Sequence, residues 1–98
     1  MTFDWHPEAL QEFADASLWY EEQRRNLGVE FSDSLVLAIE SILREPSRFR
    51  PVGDGVRLIR LSRFPYHLYC LFNASAGHVR IVAVVHERRR PDFWRARL

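Results

Sequence analysis

Fourteen arginines, four histidines and no lysine define the chemistry open to this chain. His86 is the natural proton carrier, because an unperturbed imidazole titrates near pH 6.5. It closes the apolar run Val79 to Val85 and precedes the basic run Arg88-Arg89-Arg90. Cutting RNA without a metal needs a base for the 2′-hydroxyl, an acid for the leaving oxygen and cations for the charge developing on phosphorus. His86, Arg80 and Arg60 would form such a set, and Arg57 and Arg88 would be further phosphate ligands. Glu87 or Tyr66 would be the second proton carrier. Guanidinium groups suit this work because they grip phosphate or carboxylate with two parallel donors. The plainer reading of His86 is that it ends a strand and bonds the loop beyond it. His6, His67, His78 and His86 lack any close ligand spacing, so neither a metal nor another cofactor is expected. Cys70 lies mid-strand and reads as inert packing.

These residues are positioned by a helical front and a stranded back. Thr2 to Trp5 reads as a short strand. His6-Pro7-Glu8 reads as a helix start, with proline at the first helical position and an acid in the first turn. Leu10, Phe13, Ala14, Ser17 and Leu18 recur at helical spacing and are expected to form its buried face. Asn26-Leu27-Gly28 reads as the stop, with Gly28 free to take positive φ. A second helix follows, striped by Phe31, Leu35, Ala38 and Ile42, flanked by Ile39 and Leu43, and ended by Pro46. Arg48 to Gly55 reads as a loop. The runs Val56–Leu61, His67–Asn73 and Val79–Glu87 read as strands, the last two joined by a hairpin loop over Asn73 to Gly77. Pro91 to Leu98 reads as a loop and one helical turn.

The expected fold is therefore one α+β domain over residues 1–98, ordered β-α-α-β-β-β. A helical hairpin packs on one face of a small antiparallel sheet and leaves the other face free. Alternation in the last strand turns Val79, Ile81, Ala83 and Val85 toward the helices. It sets Arg80 and His86 together on the free face, roughly 20 Å apart at about 3.3 Å per residue. Arg57 and Arg60 have opposite parity, so one of the two shares that face, and the sequence leaves open which.

Charge is divided along the chain. Residues 1–45 hold three arginines against ten acids, and residues 46–98 hold eleven against three, giving −7 and +8 within a net charge of +1. A basic half of this kind attracts phosphates or acidic partners, or else neutralises the acidic half across the fold. Arg57, Arg60, Arg63, Arg80, Arg88 and Arg89 are the candidate partner-binding cations. Trp94 reads first as a packing anchor and second as a contact for a partner. A hydrophobic fraction of 47% supports a real core. One cysteine, no secretory leader pattern and no apolar span point to a cytoplasmic protein without membrane attachment.

Four stretches resemble the RelE/ParE superfamily of toxins. They are Ala16 to Gln23 with Leu27 to Phe31; Ile39 to Arg44 with Glu45-Pro46-Ser47-Arg48-Phe49; Val56-Arg57 through Arg63-Phe64-Pro65-Tyr66-His67-Leu68-Tyr69; and Val82 to Arg97. The resemblance spans nearly the whole chain in order. It implies a toxin of a bacterial type II toxin–antitoxin system, of the kind that serves plasmid stabilisation, held in a hetero-oligomer with a cognate antitoxin. RelE-like members cut messenger RNA in the ribosome, whereas ParE-like members inhibit growth through DNA gyrase. The ending here, His86, an arginine run, Pro91 and Trp94, is more similar to the ParE-like subset. The RelE-like nucleases use lysine and a tyrosine near the C-terminus; this chain has no lysine, and Phe93-Trp94 occupies its tail. A ParE-like protein with a gyrase-type target is the favoured expectation. Ribosome-dependent endoribonuclease activity is the alternative. A non-toxic nucleic-acid-binding module is a third reading, suggested by the arginine and aromatic residues interleaved in Arg57–Tyr69.

Overall fold

The architecture starts from one strand and two helices. A computed structural model describes residues 1–98. Strand β1 spans Thr2–Trp5, helix α1 Pro7–Gln23 and helix α2 Leu27–Arg44. The His6 imidazole caps α1 by accepting the Glu8 N–H at 3.1 Å, and Pro7 occupies the first turn. Between the helices it is Asn26 that turns left-handed, at φ 71°. Gly28 instead lies buried in the first turn of α2, which corrects the expectation that it ends α1. A Cβ there would sit 2.6 Å from the Ser17 carbonyl oxygen, so glycine is what lets the helices meet closely. Glu21 then reaches across and accepts the N–H groups of Asn26 and Gly28 at 2.9 and 3.0 Å, capping the start of α2 from the other helix.

A 3-10 turn at Pro46–Arg48 leads into four further strands, β2 Arg50–Gly53, β3 Val56–Arg60, β4 Tyr66–Asn73 and β5 His78–His86. Strand β2 lies inside the stretch expected to be a loop. It tolerates Pro51 because it is an edge strand, where a missing N–H faces outward. The turn from β2 to β3 is Gly53-Asp54-Gly55, all three at positive φ. The sheet order is β1-β5-β4-β3-β2. It is antiparallel throughout except that β1 runs parallel to β5. The expected β-α-α-β-β-β order therefore stands with one added edge strand, in a mixed sheet.

A bulge in β5 governs the two faces. Tyr69 pairs with Ala83 and Cys70 with Ile81, so Val82 is an extra residue and the alternation reverses across it. Val79 and Ile81 face the helices as expected. Beyond the bulge it is Val84 that faces them, while Ala83 and Val85 turn to the other side.

Each face of the sheet carries its own apolar cluster. The helix side gathers Ala9, Ala16, Phe31, Leu35, Ile39, Ile42, Ile59, Leu68 and Val84 around Phe13 and Tyr20. The stripe expected on α2 is the buried one. On α1 the inward row is Ala9, Phe13, Ala16 and Tyr20, while Leu10 and Leu18 are exposed at 48% and 63%. The second face buries Val56, Tyr69, Val82, Ala83 and Val85 beneath Trp94, which is 1% exposed. Trp94 comes from a C-terminal 3-10 turn, Phe93–Arg97, that folds back over the sheet. The expectation of a free second face is corrected accordingly: the chain's own tail fills its centre.

Candidate functional site

The proposed catalytic group does not assemble. Arg80 precedes the bulge and lies on the second face, where its guanidinium meets Asp4 at 2.8 Å. His86 follows the bulge and lies on the helix side, its ring 5.7 Å from that of Tyr66. The sheet therefore separates the two residues expected to share a surface. Arg60 is on the second face, exposed, and pairs in register with His67. Arg57 is on the helix side, where it donates to the carbonyls of Phe49 at 2.7 Å and Ser47 at 3.3 Å. The parity question is thus answered in favour of Arg60.

The remaining candidates have varied surroundings. Arg63 binds Glu30 at 2.6 Å and lies over the Phe64 ring. Its hydrogen bond, with that of Arg24, holds the Glu30 carboxyl below its usual range. Arg88, Arg89 and Arg90 are exposed in the turn after β5, and Arg89 stacks on Phe93 at 4.3 Å. Trp94 is buried by the chain itself and offers no surface to a partner. The His86 Nδ1 accepts the Arg88 N–H at 3.2 Å, which leaves the ring proton on Nε2. Burial raises the Tyr66 phenol and also pushes the Cys70 thiol well up, so neither is poised as a base or nucleophile. No three His, Cys, Asp or Glu side chains converge as a metal site requires.

Two ion-pair clusters escaped the sequence reading, because their members lie more than seventy residues apart. In the first, Arg97 holds Glu12 through two nitrogens, each 2.8 Å away, and Glu8 at 2.9 Å. The pair also completes the sheet. Strand β1 stops at Trp5, opposite Ile81, so the outer edge of β5 beyond it has no strand partner. There Glu12 accepts the Val84 N–H at 3.1 Å, and Arg97 donates to the Val82 carbonyl at 3.0 Å. The hydrogen bond to Glu12 raises the Arg97 pKa against the opposing effect of burial. In the second cluster, Asp4 bridges Arg80 and His78, and the Thr2 hydroxyl lies 2.7 Å from His78 Nδ1.

Several concave surfaces remain open. A groove of about 490 Å³ runs between the outer sides of the helices, lined by Phe13, Ala14, Ser17, Leu18, Glu21, Gly28, Val29 and Ser32. Its apolar character continues into exposed Leu10 and Val36. A cleft of about 400 Å³ opens where α1 meets the end of β5, with Trp19, Tyr66, His86, Asp15 and Arg89 in its wall. Of the two, the cleft was not visible as a surface from sequence. The leucines at positions 10 and 18 were the available signal for the groove, and they were assigned to the core.

No helix is long and apolar enough to cross a membrane. No curated protein sequence matches the chain. Among solved structures, one described as the chromosomal ParDE TA system from P. aeruginosa superposes with a TM-score of 0.73 at 13% identity. The match covers 88% of this chain and 95% of that one, and at such identity it speaks for the fold. The sequence model of the ParE toxin of the type II toxin–antitoxin system parDE matches residues 3–91. The chain belongs to the ParE toxin family of type II toxin–antitoxin systems, a membership that implies a cognate antitoxin.

Proposed function

We propose that this toxin arrests growth by binding a protein target, DNA gyrase, rather than by cutting messenger RNA. The observation that carries this reading is the separation of Arg80 and His86 onto opposite faces of the sheet, with Trp94 filling the face between the arginines. Phosphodiester cleavage needs base, acid and cations within hydrogen-bond reach of one phosphate. A protein-binding toxin needs only complementary surfaces, and the exposed apolar groove between α1 and α2 supplies one. The same groove is the proposed seat of the antitoxin, in place of the sheet face that the tail occupies. An amphipathic helix laid there would cover Leu10, Leu18 and Val29, which otherwise stay in water.

The nuclease reading keeps one supporting observation, the contact between His86 and Tyr66. Induced expression separates the two. Accumulated gyrase-linked DNA breaks with intact messages are expected. Rapid ribosome-dependent cleavage of messages, abolished in His86→Ala, would overturn the gyrase reading.

A further inference from the structure

We propose that the hollow between α2 and the end of β3 binds the phosphate group of a small phosphomonoester. Its place follows from the sheet. The pairing of β2 with β3 ends at Leu58, so the outer edge of β3 at Ile59 and Arg60 has no strand partner. Helix α2 and the 3-10 turn stand beside that edge and enclose about 270 Å³ with it. The buried side chains of Ile59 and Leu61 make an apolar floor. The polar lining is two arginines and three serines, with no acid among them. Arg48 lies over the Phe49 ring at 5.6 Å. Arg57 donates to the carbonyls of Ser47 and Phe49, on either side of Arg48 in the chain, and so braces the turn that carries it.

The donors left over select the ligand. None of Arg48, Arg57 and Arg60 takes part in an ion pair of the fold. The Ser41 hydroxyl is spent on the Leu37 carbonyl at 3.0 Å. Among the serines only Ser41 and Ser75 donate within the chain, so the Ser34 and Ser62 hydroxyls are free. Two guanidiniums and two hydroxyls therefore line one hollow from three elements: α2, the end of β3 and the 3-10 turn. A cation is repelled there, and an oxyanion satisfies every donor. A carboxylate offers two oxygens in one plane. A phosphate monoester presents three acceptor oxygens and nearly two charges at neutral pH, which matches donors that come from separate directions. The apolar floor takes the organic part of the ester. A nucleic-acid strand fits less well, because each diester carries a single charge and the strand needs cations in a row. The hollow shares no residue with the helical groove, so it fills whether or not that groove meets a protein target.

Titration of the full chain with phenyl phosphate, followed by amide and arginine side-chain NMR, tests this. Saturable shifts are expected at the Ser34 and Ser62 amides and at the Arg48 and Arg60 Nε–H groups, with a dissociation constant on the order of 0.1–1 mM at low salt. Arg48→Gln and Arg60→Gln should each weaken binding about tenfold, as loss of a charge-assisted hydrogen bond does. Both side chains are exposed, so both variants should fold as the parent does. Arg25→Gln removes an equal charge from the turn between the helices and should leave binding unchanged. Three analogues separate the sources of the anion. Methyl phenyl phosphate, a diester, stands for a nucleic-acid backbone, benzoate for an acidic peptide, and inorganic phosphate for the free ion. Each should bind at least about fivefold more weakly, for want of a charge, an oxygen or the apolar contact. Equal affinity for any of the three, an equal loss in Arg25→Gln, undiminished binding by both arginine variants, or shifts centred elsewhere on the molecule would overturn the proposal.

Discussion

Replacing Gly28 by alanine should destabilise the fold by loosening the helical hairpin, although alanine is the better helix former. In an exposed helix the exchange gains about 1 kcal/mol. Here the new Cβ would lie 2.6 Å from the Ser17 carbonyl oxygen and 3.1 Å from the Glu21 Cβ. An ordinary carbon–oxygen contact begins near about 3.3 Å, so α1 and α2 must part by roughly 0.7 Å at their crossing. Forced overpacking of this kind costs about 1–3 kcal/mol. Separation also lengthens the bonds from Asn26 and Gly28 to Glu21 that cap α2. The net loss should be about 1–2 kcal/mol. For a domain of this size each 1 kcal/mol moves the melting temperature by about 4–8 °C. Calorimetry and urea titration would measure it. Gly77 provides the contrast, since it sits at φ +60° with nothing within 4 Å of an added Cβ. Asparagine tolerates left-handed backbone, so Gly77→Asn should be nearly neutral while Gly28→Asn is worse than Gly28→Ala. A Gly28→Ala protein that melts at or above the parent temperature would refute the close-approach argument.

Other substitutions test the tail and the second sheet face. Trp94 is 1% exposed and its Nε1 has no hydrogen-bond partner, so Trp94→Phe should cost well under the roughly 3–5 kcal/mol expected for Trp94→Ala in the same urea titration. Glu12→Gln should cost about 1–2 kcal/mol, because Arg97, at 10% exposure, keeps only Glu8 as an ionic partner. A double-mutant cycle with Arg97→Gln should show positive coupling, and strict additivity would show the contact to be idle. His67 is held below its usual pKa by burial first and by Arg60 second, so the folded state resists its protonation. Its contribution to stability is complete above about pH 6.5, the unfolded value, and is lost as pH falls through the lower folded value. Comparing urea midpoints at pH 7.5 and 5.5, the parent should lose more stability than His67→Gln.

The sequence announced those parts of the fold that depend on local pattern. The stripe of α2, the Pro7 start of α1, the turn at Asn73 to Gly77 and four of the five strands all follow from spacing within a few residues. Helix α1 was misphased because it carries two apolar rows, Ala9-Phe13-Ala16 and Leu10-Ala14-Leu18. Periodicity alone does not rank the buried row above the exposed one. The bulge at Val82 left no mark in an uninterrupted run of apolar residues, yet it decides the face of every residue after it. The second face was expected to be open because Trp94 was assigned to a terminal turn without a docking surface. Burial of that face depends on contacts across the whole chain, from Val56 to Trp94 and from Glu12 to Arg97.

Those long-range contacts also show the acidic front and basic back of the chain neutralising each other in part across the fold. Arg97, Arg80 and Arg63 each return to an acid of the first 45 residues, at Glu12, Asp4 and Glu30. Each pairing ties a strand, a loop or the tail to the N-terminal half and removes one arginine from the pool available to a nucleic acid. Of the arginines exposed without an acidic partner, Arg50 and Arg60 lie at the β2–β3 edge, Arg88, Arg89 and Arg90 follow the end of β5, and Arg25, Arg44 and Arg48 lie at the ends of the helices. A nucleic-acid site needs its cations on one continuous track. The fold instead spends several of its arginines as internal braces, scatters the rest, and leaves an exposed apolar groove between α1 and α2. That distribution favours recognition by another protein, and it makes α1 the element through which the groove, the aromatic cleft and the tail clamp are mechanically connected.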